Sequence, residues 1–399
     1  MAMRETRKLK YLCYILDEYR KPISAEKRNQ NSDMLYDYYG ASGAIDKIDG
    51  YTIDDHVMLI GEDGANLVFR NLPLMYEVNG KAWINNHAHI LKPREDVDFY
   101  YLFYALENAD IFPFVTGSAQ PKLNQENLKL IPIPITNYET QKHIASFIKS
   151  KCKRIDSLIT DIQSQIEALE EYKKSLVFRV VSKGIKKAAL KNTVSDVWTA
   201  IPENWELIDI KYVFEIVKRI AGQEGFDVLS VTQKGLKVKD IESNNGQQAE
   251  SYAGYQFVYP TDYVMNHMDL LTGWVDCSTM FGVTSPDYRV FRLRDKENND
   301  LTYFKYVMQC CYMSRIFYSL GQGVSNLGRW RLQTSAFNNF MIPVPPLDEQ
   351  RKIADYLDTK ISEIDIIIAE KKQQIETIEE YKKSLIFEYV TGKKEVVNE

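Results

Sequence analysis

The sequence predicts an α+β protein in which two globular domains are separated by two long helices that pair as an antiparallel coiled coil about a pseudo-two-fold axis. Three observations carry this. First, Glu170-Glu171-Tyr172-Lys173-Lys174-Ser175-Leu176 returns unchanged as Glu379-Glu380-Tyr381-Lys382-Lys383-Ser384-Leu385, 209 positions later. Flanking similarity keeps the same offset: Gln141-Lys142-His143-Ile144-Ala145 over Gln350-Arg351-Lys352-Ile353-Ala354, and Ile155-Asp156 over Ile364-Asp365. The chain is a duplication. Second, each copy of the repeat closes a stretch free of Pro and Gly and rich in Glu, Lys, Ile and Leu, which favours helix. Third, each stretch follows a proline-marked strand, Ile131-Pro132-Ile133-Pro134 or Ile342-Pro343-Val344-Pro345-Pro346, and proline limits where a helix can start.

The segments follow in order. Residues 1–137 read as a mixed domain with short strands at 57–60, 66–69 and 81–84 and a helix near 99–106. Residues 138–184 read as the first long helix and 185–200 as a lysine-bearing linker. Residues 201–346 read as a second mixed domain, with strands at 227–231 and 288–293 and a helix near 303–319. Residues 347–392 read as the second long helix.

Both helices carry a 3.5-residue seam. In the first it runs through Ile144, Ile148, Lys151, Ile155, Leu158, Ile162, Gln165, Leu169, Tyr172 and Leu176. In the second it runs through Ile353, Leu357, Lys360, Ile364, Ile367, Lys371, Gln374, Ile378, Tyr381 and Leu385. Such seams belong to helices that wrap around each other, and their buried lysines and glutamines would weaken the seam while helping to set register. Connection lengths predict the direction. A short linker leads from the first helix into the second domain, and the second helix starts directly after that domain, so it is expected to run back antiparallel.

Composition bounds the class. A chain of 399 residues exceeds one ordinary core. No run approaches the roughly 20 apolar residues of a membrane helix. Residues 1–10 are basic with no hydrophobic run behind them, which reads against a signal peptide. Five cysteines without a Cys-x-x-Cys pair favour reduced thiols and a cytoplasmic setting. The net charge of −5 gives no hint of nucleic acid, so DNA binding would need local basic surfaces.

The order globular, helix, globular, helix, with Pro343-Val344-Pro345-Pro346-Leu347-Asp348-Glu349-Gln350 and Ile353-Ala354 opening the second helix, strongly resembles the specificity subunit of type I restriction–modification systems. The resemblance covers nearly the whole chain. The first copy departs from the signature: it lacks the double proline, and Thr140 stands where the second has Glu349. The resemblance implies that the globular parts are target recognition domains for double-stranded DNA and that the helices form a central conserved region. It implies two methyltransferase subunits and two motor-nuclease subunits as partners, with no membrane. S-adenosylmethionine, ATP and Mg are then expected in the partners, and no cofactor in this chain. Independently, two similar but non-identical domains on an approximate dyad suit duplex DNA and a bipartite, asymmetric target with an unread spacer.

The sequence carries no amino-methyltransferase motif and no phosphate loop, so the chain reads as non-catalytic. A coiled-coil adaptor for proteins and a stand-alone DNA-modifying or DNA-cleaving enzyme are the alternatives. His87 and His89 alternate as two metal ligands could, but no third ligand is near, so core or groove-facing roles are expected. Loops rich in Gly, Asn, Arg and aromatics supply the DNA-contact candidates. In the first domain these are Glu62, Asn66, Asn85, Asn86, His87, Gln120, Lys122 and Asn124. In the second they are Asn266, His267, Tyr288, Asn326, Arg329 and Arg331. Asn and Gln can bond adenine bidentately, Arg can bond guanine, and an acid such as Glu62 can accept from cytosine N4. Lys and Arg also neutralise phosphates.

Overall fold

The computed structural model describes residues 4–28, 34–117, 119–240, 249–322 and 330–396. The chain divides into two units, Met1–Gln163 with Lys372–Glu399, and Ser164–Lys371.

The first unit is built on a six-stranded sheet. Its strand order is Cys13–Ile15, Ala88–Pro93, Ile53–Gly61, Met75–Ile84, Tyr36–Gly40 and Gly43–Ile48. All neighbours are antiparallel except Tyr36–Gly40 against Met75–Ile84. The helix Phe99–Glu107 buries Tyr101, Leu102, Ala105 and Leu106 in a core shared with Met58, Ile60 and Leu91 of the sheet. One expected strand is overturned: Asn66–Phe69 is a short helix. Asn66 explains it. Its side chain accepts from Leu72 N at 2.8 Å and donates to Pro73 O at 3.0 Å, so it satisfies a returning loop rather than a ladder.

The second unit has a four-stranded antiparallel sheet in the order Phe214–Val217, Arg289–Leu293, Tyr263–Met265 and Val275–Cys277. Two small ribbons accompany it, Leu229–Thr232 with Gly235–Val238 and Gln256–Val258 with Gly282–Thr284. The helix expected at 303–319 is two helices, Leu301–Met313 and Ile316–Ser319. Arg315 lies between them at φ 54°, a left-handed backbone that ends the first helix. The segment expected to be a plain linker contains a strand, Leu190–Asn192, paired with Ala200–Pro202.

The long helices are Tyr138–Lys183 and Leu347–Thr391. In the first unit Phe147 packs on Tyr389 and Asp156 meets Lys382, so numbers rise on one helix as they fall on the other. The second unit shows the same antiparallel sense, with Gln165 against Lys371 and Lys173 against Asp365.

Half of the predicted seam is displaced by one residue. Ile144, Ile148, Ile162, Leu176, Ile353, Leu357, Ile364 and Leu385 are buried as expected. Leu158, Tyr172, Ile367 and Tyr381 are instead 48%, 56%, 41% and 58% exposed. The inward line passes through Cys152, Ile159, Ile166 and Lys173, and through Ile361, Ile368, Ile375 and Lys382. Both lines have heptad spacing, and the burial of Ile166 and Ile368, with Ile159 and Ile375 half-buried where Leu158 is exposed, decides between them. Gln165 therefore lies on the exposed flank, where its Oε1 accepts from Lys371 Nζ at 2.5 Å. It is not a buried wedge.

The repeat acquires a structural meaning at the joint between each domain and its helices. Asp98 caps Phe99–Glu107 by accepting from Tyr101 N, and Asp300 caps Leu301–Met313 by accepting from Tyr303 N. The cap's own N–H donates to Gln141 Oε1 at 2.9 Å in the first unit and to Gln350 Oε1 at 2.8 Å in the second. Tyr101 donates to Pro134 O and Val390 O at 3.0 and 3.2 Å. Tyr303 donates to Pro343 O and Val181 O at 2.9 and 3.4 Å. Each tyrosine thus ties the proline strand to the last turn of the other long helix.

The Thr140 departure has a matching change. In the second unit Glu349 accepts from the Trp205 indole at 2.9 Å. In the first unit Arg4, rather than a tryptophan, precedes the equivalent edge strand, and its guanidinium reaches Val390 O at 2.7 Å. A cation at a helix C-terminus is favourable, and no glutamate is needed to hold it.

Candidate nucleic-acid interface

In the first domain the fold gathers loops that are far apart in sequence. Glu62 N donates to His87 O at 2.8 Å, Leu123 N to Glu62 O at 2.7 Å and Gly64 N to Pro121 O at 3.0 Å. The backbone of Lys122 bridges to both Asp63 and Thr116. Glu62, Asn85, Asn86, His87, Lys122 and Asn124 therefore share one edge of the domain.

Their side chains are not equivalent. Asn85 is buried, and its Oδ1 accepts from His87 N at 2.7 Å, so it shapes the turn. Asn124 caps a short helix by accepting from Asn127 N. Asn66 is engaged with its own loop, as described above. Asn86, Gln120 and Lys122 are exposed. The exposed His87 contacts Asp63 Oδ2 at 2.6 Å.

Glu62 is held by Arg20 Nη1 at 2.5 Å and Lys122 Nζ at 3.1 Å. Burial opposes its ionisation, but the hydrogen bonds from Arg20 and Lys122 outweigh this and lower its pKa. His89, 1% exposed, lies beneath, bonded to Asp17 Oδ2 at 2.7 Å and Leu123 O at 2.8 Å. It is a core histidine that anchors the loop edge. Among the described residues no group of three His, Cys, Asp or Glu could hold a metal ion.

In the second domain Leu332 N donates to His267 O at 2.9 Å, and Arg331 and Gln322 exchange backbone hydrogen bonds of 3.1 and 3.0 Å. Arg331 Nη2 rests on Met268 Sδ at 3.1 Å. Asn266 Oδ1 accepts from Met268 N at 3.3 Å, and its backbone O accepts from Tyr312 at 2.8 Å. Asn266, His267 and Arg331 thus come together. Tyr288 precedes the buried Arg289, whose Nη2 donates to Leu332 O at 3.1 Å. Asn326 and Arg329 lie outside the described residues.

Sequence reasoning passed over Arg20, Asp17 and Arg289. Arg289 left a trace, a cation inside the apolar strand Arg289–Leu293. Asp17 and Arg20 pair with each other at 3.2 Å, but an i,i+3 ion pair is common, and the partners that tie them to the cluster, His89 and Glu62, lie about 40 to 70 positions away.

A family profile described as type I restriction modification DNA specificity domain matches residues 3–168 and again 202–377. The chain belongs to this specificity family. The type I restriction enzyme MjaVIII specificity subunit of Methanocaldococcus jannaschii is 27% identical over 327 residues, covering 76% of this chain and 72% of that one. The Haemophilus influenzae specificity subunit S.HindORF215P is 32% identical over 144 residues, 36% of each chain, so that match spans little more than a third of the relative. A chain in a structure solved to explain complex assembly and conformational transition of a type I restriction–modification system shares the fold, with a TM-score of 0.68 at 13% identity over 99% of both chains. Each specificity-domain match takes in one loop cluster and most of one long helix.

The second specificity domain should carry a pH signature. Burial, and then the charges of Arg289 and Arg331, push the His267 pKa down from 6.5 to about 4. Between those values the unfolded chain binds a proton that the native chain does not. Stability from this group is complete above pH 6.5 and declines as pH falls toward 4. The His267→Gln variant should therefore lose less melting temperature than the parent between pH 7 and pH 4.5. Parallel curves would remove His267 from the acid response.

Proposed function

We propose that this chain is the non-catalytic DNA-recognition subunit of a type I restriction–modification complex. It reads a bipartite, asymmetric target with a fixed spacer in double-stranded DNA, and it scaffolds two methyltransferase and two motor-nuclease subunits in the cytoplasm. S-adenosylmethionine, ATP and Mg act in those partners. The observation that carries the reading is the contrast between the two halves. The joints repeat residue for residue, Asp98, Tyr101, Gln141 and Asp300, Tyr303, Gln350. The loop clusters beyond them share no such correspondence: Glu62, His87 and Lys122 in one, His267, Arg289 and Arg331 in the other. Equal attachments bearing different surfaces suit two different half-sites. Within the first cluster, Lys122, Asn86 and Gln120 face DNA, and Glu62 holds Lys122 in place.

The test is methylation mapping by sequencing with the chain assembled on its partner subunits. Two short conserved blocks at one constant separation are expected. The long helices set that separation. Inserting one heptad near Ile162 and another near Lys371 adds about 10 Å at 1.5 Å per residue, or up to about three base pairs. An active variant that kept the parental spacer would show that the helices do not measure it. Methylation at a single uninterrupted block would overturn bipartite reading.

A further inference from the structure

The second domain buries a cation. Arg289 is 5% exposed. Its Nη2 donates to Leu332 O and Thr334 Oγ1 at 3.1 and 3.3 Å, and its guanidinium lies 4.5 Å from the Phe337 ring centroid. Its Nη1 is buried with no hydrogen-bond acceptor among the described residues. Among the described residues no carboxylate forms an ion pair with it.

Two neighbours share the condition. His267 Nδ1 and Trp330 Nε1 are also buried, with no hydrogen-bond partner among the described residues. His267 is bonded through its backbone to Leu332, whose carbonyl receives Arg289. Trp330 immediately precedes Arg331. The exposed Arg331 has one side-chain partner among the described residues, the Met268 thioether, a weak acceptor. Burying unpaired polar and charged groups is costly, so Arg289 and His267, close enough to Arg331 that both arginine charges act on the imidazole, mark a site awaiting acceptors. The Arg and Trp orphans can only donate, and His267 Nδ1 can donate in one tautomer. Two guanidiniums that no carboxylate pairs with among the described residues call for a full negative charge rather than the neutral edge of a base.

We propose that Arg289, with His267, Trp330 and Arg331, forms a phosphate site that grips one phosphodiester of the DNA backbone beside the half-site of the second domain. This rests on the DNA-recognition reading above. Arg331 turns from Met268 toward the anion, and Arg289 supplies a fixed charge behind it.

The test uses the chain assembled with its methyltransferase subunits on the mapped target. Each phosphate around the second half-site is replaced singly by an uncharged methylphosphonate. At one linkage the parent complex should lose about tenfold in affinity, the scale of one charge-assisted contact. Arg289→Met and Arg331→Gln complexes should lose less than twofold there, and Arg331→Gln should lower the salt slope of binding by about one. Should Arg289→Met fail to fold, Arg331→Gln and His267→Gln carry the same cycle. Equal losses in parent and variants at every linkage would overturn the site. So would coupling of Arg289 to a 7-deazaguanine substitution instead of a phosphate, which would make it a base reader. Failure of the parent complex to bind its mapped target would sink the DNA-recognition reading itself, and is distinct from both.

Discussion

Exchanging residues 1–130 for the same segment of another specificity subunit is expected to replace one half of the recognised sequence and leave the other intact. The exchanged segment contains the six-stranded sheet and every loop of the first cluster, Glu62 to Asn66, Asn85 to His87 and Gln120 to Asn124. It stops before Pro132–Pro134, the strand that Tyr101 ties to the helix end, and before Gln141. The incoming domain needs an Asp cap and a tyrosine in the Asp98 and Tyr101 positions to dock. Each wrong base pair costs about 1–3 kcal/mol in protein–DNA recognition, so a changed half-site of three pairs should reduce binding to the old target by a factor of 10² or more. Methylation mapping of the chimera in complex with its partners reads the result. A change in both halves would show that the domains do not read independently.

Gln350→Leu should cost about 2–6 kcal/mol of stability, since two buried groups each lose a partner worth about 1–3 kcal/mol. The Gln350 side chain is 1% exposed, accepts from Asp300 N at 2.8 Å and donates to Pro345 O at 2.9 Å. Leucine nearly matches its volume and can make neither bond. Gln141→Leu should behave alike, because Gln141 accepts from Asp98 N at 2.9 Å and donates to Thr136 O at 2.8 Å. Denaturant unfolding of the parent and the two variants measures both losses. A change under 0.5 kcal/mol at either position, the scale of an ordinary surface substitution, would mean that the joint holds by apolar packing alone.

Much of the architecture was legible because duplication and helical periodicity are local signals. Gln141 and Gln350 align by offset alone, and Pro132 and Pro343 mark the helix starts without any knowledge of contacts. The seam shows the limit. Ile155 and Ile162 were identified, yet the choice between Leu158 and Ile159 rests on which one meets the partner helix, and 3.5-residue spacing admits both. Asn66–Phe69 failed for a related reason. Its strand-like composition is overruled by an Asn side chain whose partners, Leu72 and Pro73, only the folded turn brings within reach.

The candidate surfaces were less legible still. Gly- and Asn-rich loops can be listed from composition, but composition does not say that Asn85 and Asn124 spend their oxygens on the backbone while Asn86 and Gln120 remain exposed. Nor does it bring Arg20 to Glu62 or set Arg289 under Leu332. The two-domain duplication, the paired helices and the family can be read from the amino-acid order alone, since repeats, heptads and prolines act through neighbours in the chain. Which seam residues turn inward, which loop side chains are engaged by the backbone, and which cation is buried follow from folding. Those outcomes depend on burial and on partners distant in sequence, and no short-range pattern encodes them.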